Sequence, residues 1–124
     1  MDNKLLQDMI EEQYVSFKTG KLLKEKGFNV ETSKFYNPHG EICENSLWIS
    51  ATPCPTQALA IRWLREKHNV HVLAYPEDRD DELLWGWKVI LMTNPTETWR
   101  LLDFHSYEEA CEEGILSALT NLVD

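Results

Sequence analysis

Val70-His71-Val72-Leu73-Ala74-Tyr75, Leu84-Trp85-Gly86-Trp87-Lys88-Val89-Ile90-Leu91-Met92 and Thr98-Trp99-Arg100-Leu101-Leu102-Asp103-Phe104 follow one another in the second half of the chain. In the first run Val70, Val72 and Ala74 fall on one side and His71, Leu73 and Tyr75 on the other, the two-residue period of a strand. The second and third runs read as strands as well. Pro76-Glu77-Asp78-Arg79-Asp80-Asp81-Glu82 reads as a charged loop between the first two, and Asn94-Pro95-Thr96 as the turn into the third. Two consecutive hairpins make a meander, and the meander decides the fold.

Downstream of it, Ser106 and Glu109 form a capping box. Ala110, Ile115, Ala118, Leu119 and Leu122 then line the inner face of a closing helix. Upstream, Ala51-Thr52-Pro53-Cys54-Pro55 is barred from helix interior, but proline suits a first turn, so a helix is expected from about Pro55. Ala58, Leu59, Ile61, Trp63 and Leu64 give it an apolar face and Asn69 stops it. Asn37-Pro38-His39-Gly40 is a turn between an extended Lys34-Phe35-Tyr36 and Glu41-Ile42-Cys43, a short hairpin, with Leu47-Trp48-Ile49 as an extended anchor after it.

The chain start reads as an amphipathic helix striped by Leu5, Leu6, Met9, Ile10 and Tyr14. A second helix is capped by Ser16, carries Leu22 and Leu23 inward and is stopped by Gly27, with Phe28 packing back. The expected architecture is α+β: an antiparallel meander sheet of three to five strands with helices packed mainly on one face, in a single domain over residues 1–124.

Charge excludes some function classes. Residues 1–70 hold nine Lys/Arg and nine Asp/Glu, whereas residues 71–124 hold three bases (Arg79, Lys88, Arg100) against twelve acids, so the whole net charge of −9 is C-terminal. That disfavours general nucleic-acid binding and anionic membranes, where affinity comes from Lys and Arg releasing counterions. Lys18, Lys21, Lys24 and Lys26 at helical spacing read as a solvated face. Acids interrupt the first residues and no apolar run reaches the ~20 residues of a membrane span, so the expected location is cytoplasmic. Cys43, Cys54 and Cys111, odd in number and without a CxxC pair, read as reduced thiols.

Thr56-Gln57, Trp63-Leu64-Arg65-Glu66-Lys67-His68-Asn69-Val70, Leu84-Trp85-Gly86-Trp87 and Ser106-Tyr107-Glu108-Glu109-Ala110 together resemble a family of small uncharacterised single-domain proteins found in bacterial genomes, phages and mobile elements. The likeness spans roughly residues 14–122. It implies an accessory protein and transfers no catalytic residue.

Reactive groups offer little convergence. His68 and His71, with His105 or a cysteine, are a weak metal set, because a helix-end ring and a strand ring need not meet. The 77–82 acids lack the glycine and terminal glutamate of an EF-hand. Cys54, His71 and Asp103 are the only nominees for a nucleophilic triad, with Cys54 at a helix start that could lower its pKa, and no local signature supports them. No cofactor or metal is expected. The aromatic set is the informative oddity: Trp85 and Trp87 share one strand side, and Trp99 and Tyr75 are their candidate neighbours. Unless they fill the core, or the Phe28–Trp48 region covers them, they mark a partner-binding surface.

The leading expectation is therefore a non-enzymatic accessory or interaction protein binding a protein partner or itself through the sheet-face aromatics Tyr75, Trp85, Trp87 and Trp99 or through a sheet edge. The alternatives are an acidic decoy of a nucleic-acid-binding protein, using residues 77–82 and 108–113, and a small metal-dependent hydrolase built on Cys54, His71 and His105.

Overall fold

The computed structural model describes residues 11–44, 51–96 and 98–124. The expected first helix (Leu5 to Ile10) and the Leu47-Trp48-Ile49 anchor lie outside these residues. Tyr14, the last member of that helical stripe, forms an isolated bridge with Thr56 instead.

Helix α1, Phe17–Glu25, is capped by Ser16, whose side chain accepts from the Thr19 N–H. It ends as its sequence dictates: Gly27 takes φ 95°, and the Phe28 N–H donates to the Leu23 carbonyl at 2.9 Å. The hairpin around Asn37 is present as β1 (Phe35–Tyr36) and β2 (Ile42–Cys43). The Asn37 side chain accepts from the N–H groups of His39 and Glu41, an Asx-type turn. A third strand, β3 (Thr52–Pro53), joins β1 on its other side in the order β2-β1-β3. This strand was hidden by its proline. It packs so closely on α1 that a Cβ at Gly20 would stand 2.5 Å from the Pro53 carbonyl oxygen.

Helix α2, Gln57–His68, is capped by Thr56 and stopped by Asn69 in the left-handed region at φ 55°. The meander follows as β4 (Val70–Arg79), β5 (Glu82–Leu91) and β6 (Thr98–Phe104), in the order β4-β5-β6 and antiparallel throughout. The expected loop 76–82 is corrected here. Its residues continue the two strands, Pro76 pairing with Trp85 and Arg79 with Glu82, and the turn is only Asp80-Asp81. Both of these aspartates have positive φ, 51° and 65°, the backbone of a tight hairpin whose twist matches that of its strands. Pro76 is tolerated because β4 is an edge strand, where an N–H facing outward has no partner to lose.

Helix α3, Tyr107–Asn121, closes the chain from its Ser106 cap. The main core lies between one face of the meander (Val70, Val72, Trp87, Val89) and the helices, which contribute Ala60, Trp63 and Leu64 from α2 and Ile115, Ala118 and Leu119 from α3. Leu23 and Phe28 complete it, so Phe28 packs on the helix side, edge-on to Trp63, and does not cover the other sheet face. Gly114 brings α3 down onto the sheet, since a Cβ there would lie 2.8 Å from Val72 Cγ1 and 3.0 Å from Trp87 Cβ. The result is an α+β fold with two antiparallel three-stranded sheets. No helix among the described residues is long and apolar enough to cross a membrane.

Candidate functional site

Strand alternation and register sort the aromatic residues. Directly opposed residues share a face, so Trp87 lies with Ala74 and Leu101, and Trp99 with Val89 and Val72, all on the helix side. Trp85 belongs to the same side and meets the Tyr107 ring edge-on at 5.6 Å. Trp87 is 9% exposed, pinned under α3 at Gly114, and therefore serves the core rather than an open surface. Tyr75 points to the opposite face, across from Gly86, whose missing side chain leaves room for the Tyr75 ring and Leu102. The four nominated residues thus divide three to one between the faces, and only Trp99 among the tryptophans of the meander is well exposed, at 40%.

The reason Trp99 stays wet is its strand. β6 is an edge, and among the described residues no strand pairs with its outer side. Leu101, two residues on, is 48% exposed. Between this edge and α3 runs a groove of about 280 Å³ floored by Trp87 and walled by Leu101, Leu116 and Thr120. The two edges of the meander differ. β4 carries Pro76 and ends in a charged tip, devices that discourage strand addition, whereas β6 has no proline and presents seven residues interrupted only by Arg100, Asp103 and a bulge opposite Trp85/Gly86. The bases of the C-terminal half gather nearby: by register Arg79, Lys88 and Arg100 all lie on the helix-free face, with Lys88 directly opposite Arg100.

A second feature is acidic. A cleft of about 650 Å³ opens between residues 11–16 and the start of α3, lined by Glu11, Glu12, Glu108, Glu109, Glu112 and Glu113. Glu112 is committed to structure. Its Oε2 accepts from the Ser16 N–H at 3.1 Å, from Ser16 Oγ at 2.8 Å and from Thr19 Oγ1, placing negative charge at the positive end of α1. Its Oε1 accepts from Gln57 Nε2 at 3.3 Å, and the same amide donates to the Glu108 carbonyl at 2.9 Å. The contact between Gln57 and Glu112 carried no sequence signal, because it joins helices more than fifty residues apart. The acidic hairpin tip approaches this end of the molecule, with His105 Nδ1 3.8 Å from Glu82 Oε1.

The nominated reactive groups are dispersed. Cys54 is fully buried, its thiol 4.0 Å from the Val15 carbonyl that also accepts from Tyr36 Oη at 2.6 Å. Burial pushes the Cys54 thiol up rather than down, only partly countered by the Tyr36 hydrogen bond, and burial likewise raises Tyr36. His71 sits at the beginning of β4, opposite Ile90, whereas Asp103 and His105 lie at or beyond the far end of β6 with β5 between. Neither the Cys54, His71 and Asp103 set nor the Cys54, His71 and His105 set is brought together. No group of three or more His, Cys, Asp or Glu among the described residues is placed to hold a metal ion. Burial, with a contribution from Arg65, holds the His71 imidazole below its ordinary pKa. No family model, curated protein or solved structure matches the chain.

Proposed function

We propose that the chain is a non-enzymatic accessory protein that binds a protein partner, or a second copy of itself, through the outer edge of β6. The observation that supports this reading is the proline-free edge strand with Trp99 and Leu101 standing exposed, Leu101 lining the α3 groove. An extended segment added there gains main-chain hydrogen bonds along β6, and alternate side chains of that segment reach the groove. Tyr75 and Trp85 flank the surface, and Trp87 supports it from below.

A photo-crosslinking residue at position 101, in cells producing the chain, tests the reading. Adducts of discrete mass are expected from position 101 and not from the exposed position 66 on α2. Equal labelling at both positions, or none at 101, removes the surface.

The acidic cleft favours a second reading, a decoy for the basic face of a nucleic-acid-binding protein. Six glutamates line it without a Lys or Arg among its lining residues, and the 77–82 tip lies at the same end. Binding of a basic partner there weakens steeply as salt rises, whereas strand addition at β6 does not.

A further inference from the structure

We infer that the occupant of the β6 edge is an extended peptide segment in which apolar and acidic residues alternate; this rests on the interaction reading above and names the chemistry of its partner.

A strand laid along β6 sends its side chains alternately to the two faces of the sheet. Each face offers a concavity beside β6, and Leu101 lines both. On the helix side is the groove of about 280 Å³, where Trp87, Leu101 and Leu116 supply apolar surface, with Trp99 exposed on the same side. On the helix-free side a second hollow of about 290 Å³ is lined by Tyr75, Arg79, Arg100 and Leu102, with Glu77 as the one acid among its lining residues. A residue of the added segment opposite Trp99 or Leu101 therefore meets carbon, and one opposite Arg100 meets cations.

The cations are uncompensated. Lys88 and Arg100 stand directly opposite each other on β5 and β6, an arrangement in which like charges repel. By register, the flanking rows of this face hold Tyr75, Gly86 and Leu102 on one side and His71, Ile90 and Thr98 on the other, none of them acidic. Among the described residues the ion pairs join Lys34 to Glu44, Arg62 to Glu66 and His105 to Glu82, so neither Lys88 nor Arg100 is neutralised within the chain. Two such cations at the rim of an open edge, in a chain of net charge −9, select an incoming carboxylate.

A peptide fits this edge better than a nucleic acid. Single-stranded nucleic acid would bring a phosphate with every nucleotide to a chain half that holds only Arg79, Lys88 and Arg100 as bases, and it would leave the β6 backbone groups and the helix-side groove unused. A peptide uses all three features. Main-chain hydrogen bonds and apolar contacts hold the segment, and the cations choose which segment binds. Its centre reads apolar, acidic, apolar, with the acid opposite Arg100 and the apolar residues opposite Trp99 and Leu101.

The test uses the full chain and a dye-labelled nonapeptide of alternating valine and glutamate, followed by fluorescence anisotropy at constant ionic strength. This peptide is expected to bind at least tenfold more tightly than a version with lysine for glutamate. Threonine in place of valine, equal in shape, should weaken it at least fivefold. Arg100→Glu replaces the Lys88–Arg100 repulsion by an attraction and so keeps the fold, yet it should erase the preference for glutamate over lysine. Equal affinity for the glutamate and lysine peptides, or an unchanged preference in Arg100→Glu, overturns the inference. Displacement of the bound peptide by an oligothymidylate of nine nucleotides also overturns it, making a phosphate chain the occupant. If none of the peptides binds while the photo-crosslinker at position 101 still captures a protein, the alternation is wrong and the edge surface stands; absence of adducts at 101 removes both.

Discussion

Gly114→Ala puts the close packing of α3 on the meander to a quantitative test. In a solvent-facing helix the change would stabilise the protein by about 1 kcal/mol, because alanine costs less backbone entropy than glycine. Here the new methyl would lie 2.8 Å from Val72 Cγ1 and 3.0 Å from Trp87 Cβ. The Trp87 atom is fixed to the β5 backbone and cannot swing aside, so α3 must lift or the sheet must shift. Overpacking of this kind costs about 1–3 kcal/mol, which outweighs the propensity gain and leaves a net loss of about 1 kcal/mol. For a chain of this size that lowers Tm by roughly 3–6 °C.

Urea unfolding followed by tryptophan fluorescence measures the effect, and a cycle with Val72→Ala assigns it. Val72→Ala alone opens space in the core and costs about 2 kcal/mol. Combined with Gly114→Ala, the added methyl moves into that space, and the double variant should be more stable than the sum of the singles by about 1 kcal/mol. A Gly114→Ala protein more stable than the parent, or strictly additive singles, would refute the contact.

Three further outcomes follow from other parts of the fold. Glu112→Ala should cost about 2–3 kcal/mol in urea unfolding, since it strips charge-assisted hydrogen bonds from Ser16, Thr19 and Gln57, whereas Glu113→Ala next to it should be nearly neutral. His71 is held below its ordinary pKa by burial, so its neutral form belongs to the folded state: stability is full above the unfolded value of about 6.5 and falls as pH drops through the folded value, and His71→Gln should flatten that segment of the stability–pH curve. Replacing Asp80-Asp81 by Asn-Gly should raise stability by roughly 1 kcal/mol, because both positions hold positive φ and the pair is the preferred one for such a turn, as a thermal melt will show.

Local chemistry was legible in the chain wherever it is decided within a few residues. Ser16, Thr56 and Ser106 at helix starts, Gly27 and Asn69 at helix ends, and the period-two runs from Val70 and Thr98 behave as residue type and spacing require. Reading failed where an environment several strands away decides. Pro76 to Glu82 has loop composition, yet an edge strand with wet positions can carry proline and charge, and a two-residue turn at Asp80-Asp81 lets the ladder run on. Trp87 and Trp99 share one sheet face and are indistinguishable by period. Only their distance from α3 buries the first and leaves the second at the rim. Gln57 and Glu112 are ordinary polar helix residues until α1, α2 and α3 meet. Cys54 stands just before a helix start that could lower a thiol's pKa, but Val15 and Tyr36 close over it and desolvation dominates.

The arm formed by the ends of β4 and β5 projects past the helices, with every residue from Pro76 to Leu83 exposed. Its tip contributes nothing to the hydrophobic core. An epitope or a fluorophore spliced between Asp80 and Asp81 would therefore report on the whole molecule while leaving its folding intact, which makes this arm the natural handle for single-molecule or imaging work.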